Sequence, residues 1–110
     1  MGINKQENNN NLWKGNRINM RSSLIEKINN CNSEVVAIIF VNDRQVAEMH
    51  FEPWDITYDE INGVININYE GTDVEIDLCD AVITKEEDEL SELFGSYDIT
   101  VGQMEVYIDF

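Results

Sequence analysis

Apolar and polar positions alternate along most of this chain, and the period of the alternation changes from segment to segment. Leu24, Ile25 and Ile28 form a short stripe at helical spacing. Ser23-Leu24-Ile25-Glu26 before it has the form of a capping box, so a helix is predicted to start near Ser22 or Ser23. Asn29, Asn30 and Asn32 are expected to end it by competing for backbone hydrogen bonds. Val35 to Val41 is rich in β-branched residues and suits a buried central strand. A turn at Asn42-Asp43-Arg44 then leads into Val46 to Phe51 as the second arm of a hairpin.

Period two dominates the middle of the chain. Ile56 and Tyr58, then Ile65, Ile67 and Tyr69, then Val74, Ile76 and Leu78 alternate with polar residues. Turn signals at Asn62-Gly63 and Glu70-Gly71 separate the three runs, Asn-Gly being expected to put both of its residues at positive φ. They predict a three-stranded meander with one apolar and one acidic face. Thr84-Lys85-Glu86-Glu87 has the form of a second capping box, with four acids in the first turn and Leu90, Leu93 and Phe94 facing inward. Gly95 suits the end of that helix, and Tyr97 to Val101 and Met104 to Phe110 close the chain as two strands. The expected fold is α+β: an antiparallel sheet of six or seven strands with two helices, mainly on one face. Residues 1–17 lack periodicity, hold the run Asn8 to Asn11 and are expected to be a tail, leaving 18–110 as one domain. Trp13 is the exception within the tail, and Met20 could serve as an alternative start.

Charge changes the picture more than any motif does. The chain of 110 residues carries 22 acids and 7 bases, for a net charge of −15. Residues 1–44 are net +2, whereas residues 45–110 hold eighteen acids against the single base Lys85. That balance excludes a conventional nucleic-acid binder, which needs a basic face, and argues against a binder of anionic membranes. No apolar run approaches the roughly 18 residues of a membrane span. No signal-peptide core precedes the domain, so the cytoplasm is the expected compartment and Cys31 and Cys79 are expected to be free thiols.

No enzyme, cofactor or metal centre is expected. His50 stands alone beside Glu48, without a nucleophile nearby in the sequence. Two cysteines and one histidine are too few for structural zinc, and Asp73, Glu75, Asp77 and Asp80 lack the loop pattern of a calcium site. The acids themselves are the candidate site. On a strand Glu75 and Asp77 point the same way, about 6.5–7 Å apart, with Asp73 on the same run and Glu70 across the turn. On the second predicted helix, Asp88 and Glu89 each neighbour Glu92 at about 5–6 Å between Cβ atoms, with Glu86 and Glu87 beside them in the first turn. These spacings approach those of successive phosphates, so the surface is expected to stand in for a nucleic-acid strand, the other reading being an acidic face that is only solvated. Trp54, Tyr58, Tyr69, Tyr97 and Tyr107 are candidate interface aromatics, though most are expected in the core, and Tyr107 is the best placed to face outward.

The size, the antiparallel α+β pattern, the segment Gln45 to Phe110, and the runs Asp73-Val74-Glu75-Ile76-Asp77 and Glu86-Glu87-Asp88-Glu89 together resemble a known type. The resemblance is to small phage or mobile-element inhibitors that act as nucleic-acid mimics, many anti-CRISPR proteins among them. It implies a non-enzymatic inhibitor whose acids meet the arginines and lysines of a basic groove, such as that of a CRISPR effector nuclease. Two other expectations stand beside it: an immunity protein that neutralises a basic nuclease toxin, and a homodimeric structural or adaptor module pairing through an exposed edge such as Met104 to Phe110. The oligomeric state is left open between monomer and homodimer.

Overall fold

The computed structural model describes residues 20–110, so the predicted tail, Trp13 and the tail boundary lie outside the described residues. Within them a helix (α1) runs over residues 20–30, followed by eight strands. The strands are β1 (Val35–Val41), β2 (Arg44–Phe51), β3 (Ile56–Asp59), β4 (Val64–Tyr69), β5 (Thr72–Asp77), β6 (Val82–Lys85), β7 (Tyr97–Val101) and β8 (Met104–Asp109). They form two antiparallel sheets, a five-stranded one ordered β2-β1-β8-β7-β6 and a three-stranded one ordered β3-β4-β5. The meander is therefore a separate sheet inserted between β2 and β6, where a single sheet of six or seven strands was expected.

The division follows from which faces are apolar. Ile65, Ile67 and Ile76 of the small sheet are buried, as are Val35, Ala37, Ile99, Val106 and Ile108 of the large one. Leu24 and Ile28 of α1 join them in one continuous cluster. Each sheet thus turns one face to a shared core and the other away from it. Full burial of one such side chain contributes roughly 1.5–3 kcal/mol.

Turn chemistry sets the register. Asn42 and Asp43 both have positive φ (52° and 65°), which closes the β1–β2 hairpin in two residues with Val41 opposite Arg44. Glu70 and Gly71 do the same for β4 and β5. Between β3 and β4 the loop is longer: Asp59 pairs with Val64, and only Gly63 of the Asn-Gly pair has positive φ. Asp59 organises that loop, accepting from the Ile61 and Asn62 amides and the Asn62 side chain, and these bonds hold its carboxyl below the usual range.

α1 is already helical at Met20, so Ser23 is not its cap; its hydroxyl bonds the Tyr97 hydroxyl instead. The second helix does not form. Thr84 and Lys85 belong to β6, opposite Asp98 and Tyr97, and residues 86–96 form a loop. Its ends are tied by Glu86 N–H to the Ser96 carbonyl (2.9 Å) and Gly95 N–H to the Glu86 carbonyl (2.8 Å). Side chains of Glu86, Asp88 and Ser91 accept from nearby amides, an alternative to helical bonding. Adjacent carboxylates without interleaved lysines give a helix no compensating pairs. Leu90, expected inside, is 94% exposed, and Phe94 is 52% exposed. β8, expected as an edge, lies between β1 and β7 and is paired on both sides.

Candidate partner-binding surface

β5 is an outer strand of the small sheet, and its alternation splits cleanly. Val74 and Ile76 turn toward the core, while Asp73, Glu75 and Asp77 share the other face and are exposed. Opposite them on β4 stand Asn68, Asn66 and Val64. Among the described residues, the hydrogen-bond partners of these acids are neutral. Asn68 Nδ2 donates to Asp73 at 3.2 Å, and the Cys79 amide donates to Asp77 at 2.8 Å. Such bonds orient the carboxylates without cancelling their charge. Glu70, at the tight turn that precedes β5, holds φ +52° and is exposed.

Glu86, Glu87, Asp88, Glu89 and Glu92 lie on the β6–β7 loop, not on a helix. The helical spacings expected for Asp88, Glu89 and Glu92 therefore do not apply. Tyr107 lies on the outward face of the large sheet, half-buried, with its ring edge-on to Phe40 at 5.8 Å. Its hydroxyl donates to Glu105 at 3.2 Å, and Glu86 and Asp98 contribute to its electrostatic surroundings. The predicted acids thus fall into two groups: Glu70 with the β5 face on the small sheet, and the β6–β7 loop with Tyr107 at the large sheet.

The second group contains a residue that pattern reading missed. Asp98 sits opposite Tyr107 across β7 and β8, and burial with the nearby Glu105 carboxylate pushes it up to about 7. Burial and the surrounding negative charges likewise raise Tyr107. The alternation Tyr97-Asp98-Ile99-Thr100 is a signal that could have placed Asp98 on the outward face, but only the β7–β8 register shows that it meets other acids.

Among the described residues, basic side chains do little to neutralise this surface. Lys85, the single base after Arg44, lies over the Tyr97 ring at 5.4 Å. Among the described residues the only ion pairs are those of His50, with Glu48 at 2.7 Å and Glu34 at 3.4 Å. Those two carboxylates raise the histidine above its ordinary value. Cys31 and Cys79 are free thiols, and no metal-binding cluster occurs among the described residues. Nor is any described helix long and apolar enough to cross a membrane.

The edges of both sheets are blunted. β2 carries a bulge at exposed Val46, β6 has four residues, β3 follows Pro53, and β5 presents acids. No protein-family model matches this sequence, and comparison with curated proteins and with solved structures finds no match.

Proposed function

We propose that this protein is an acidic, non-enzymatic inhibitor that occupies the basic nucleic-acid groove of a defence nuclease, a CRISPR effector above all. One observation carries this proposal: the exposed carboxylates of the β5 face and the β6–β7 loop have no lysine or arginine partner among the described residues. A surface needed only for solubility is better served by mixed signs. An unpaired array of acids repels itself and gains when it meets a basic surface. Grooves that hold nucleic acid through backbone charge can be filled by such an array without base readout. Complementary charge also speeds encounter and makes binding salt-sensitive.

The blunted edges and the interior position of β8 favour this reading over a module that pairs through Met104 to Phe110. The test is to isolate the partner from a host lysate and measure association with wild type and with two variant sets. One set is Asp73→Asn, Glu75→Gln and Asp77→Asn; the other is Asp88→Asn, Glu89→Gln and Glu92→Gln. Association is expected to slow markedly with at least one set, and unchanged rates with both would overturn the proposal. A toxin nuclease captured in place of a CRISPR effector would assign the protein to the immunity class.

A further inference from the structure

Trp54 is 74% exposed, although large aromatic side chains usually find cover. It is not on a loose loop. Pro53–Asp55 form a short 3-10 turn, closed by Asp55 N–H to the Glu52 carbonyl at 3.0 Å and by Glu52 N–H to the Asp55 carboxylate at 3.2 Å. Proline fixes the backbone just before the indole. Beside it runs an open groove of about 460 Å³, whose lining includes Ile28, Cys31, Pro53, Trp54, Ile56 and Tyr58 together with the polar Asn29 and Thr57.

Three features of this groove favour the same ligand chemistry. The indole face attracts a cation through its quadrupole, and arginine is the side chain most often found there. Glu52 and Asp55 bracket Pro53 and Trp54 in the chain, beside the lining and not part of it, and both side chains lie outside the core. The far wall is the end of α1, whose last turn includes Ile28, and a helix C-terminus carries partial negative charge. The Cys31 thiol donates only weak bonds there, to the Ile28 carbonyl at 3.4 Å and the Pro53 carbonyl at 3.7 Å. Among the described residues, no lysine or arginine lines the groove.

We infer that the Trp54 groove is the seat of an arginine side chain from a basic protein partner, with the guanidinium stacked on the indole. The inference rests on the proposed binding of a basic partner and adds an anchor separate from the acidic strand and loop. Long-range charge sets the encounter, and the stacked arginine slows release.

Blocked octa-arginine is the probe, with octa-citrulline and octa-lysine as controls, titrated calorimetrically at low salt into the full chain. Octa-arginine is expected to bind more tightly than octa-lysine, and octa-citrulline not at all. Trp54→Gln should weaken octa-arginine about threefold to fivefold, and Trp54→Tyr should recover part of the loss. Melting curves should be unchanged in both variants, since the ring is mostly outside the core. Equal octa-arginine affinity in wild type and Trp54→Gln would overturn the arginine seat and leave the acidic-inhibitor proposal standing. No binding of octa-arginine to wild type would overturn both.

Discussion

Asp98 and Tyr107 stand directly opposite each other on β7 and β8, on the side of the large sheet that faces away from the core. Glu105, two residues before Tyr107, accepts the tyrosine hydroxyl and lies close enough to hinder ionisation of Asp98. Two carboxyls and a phenol therefore share a patch in which a full set of charges is unfavourable.

The consequence is a pH dependence of stability with a definite sign. The Asp98 carboxyl is raised to about 7 in the folded protein, against 3.8 when unperturbed. Between those values the folded state binds more protons than the unfolded state, so stability falls as pH rises through that window and levels above it. His50, also raised, contributes in the same direction: its stabilisation is present at low pH and lost as pH rises through its folded value. Melting at pH 5 should exceed melting at pH 8. Asp98→Asn should flatten the difference and raise the pH 8 value; a pH profile equal to wild type would contradict this account of Asp98.

Substitutions at Leu90 and Ile99 separate a loop from a helix over residues 86–96. Ile99→Ala, at a fully buried site, should cost about 2–5 kcal/mol in chemical denaturation. Leu90→Ala, at a site 94% exposed, should stay within about 0.5 kcal/mol of wild type. A loss of several kcal/mol at Leu90 would mean that it packs inward, as a helix would require.

Glu70 holds a left-handed backbone conformation that disfavours its side chain. Glu70→Asn should raise stability by up to about 1 kcal/mol, because asparagine tolerates that conformation better. A lower melting temperature would show that the Glu70 carboxylate makes a stabilising contact.

Thiol accessibility should differ between the two cysteines. Cys79 is exposed and Cys31 is half-buried against the end of α1. Under native conditions, Ellman's reagent should modify Cys79 quickly and Cys31 slowly, with two groups titrating after denaturation. Equal native rates would contradict the packing of Cys31.

Strand alternation made most of the fold legible. The hairpin of β1 and β2, the meander β3 to β5 and the final pair β7 and β8 were all readable from period two and turn residues. The two-sheet division was not, because it depends on β1 pairing with β8, contacts far apart in sequence. β6 was missed for a local reason. Thr84 to Glu87 has the form of a helix start, yet Val82 and Ile83 pair with Thr100 and Ile99, and sheet pairing overrides a local capping signal. At the candidate surface, the outward face of Asp73, Glu75 and Asp77 was readable from alternation. Trp54 was among the candidate interface aromatics, but the groove beside it and the Asp98 patch were not readable, since one lies between α1 and β3 and the other depends on register between strands.

The central claim is that this protein and nucleic acid compete for one basic groove. Its most direct test holds the isolated partner at fixed concentration with labelled protein and titrates unlabelled duplex DNA or guide RNA at several salt concentrations. Displacement to completion is predicted, with protein affinity falling as salt rises and falling less steeply for the Asp73→Asn, Glu75→Gln, Asp77→Asn variant. A ternary complex in which nucleic acid and wild-type protein bind together without interference, with no salt dependence, would contradict the account.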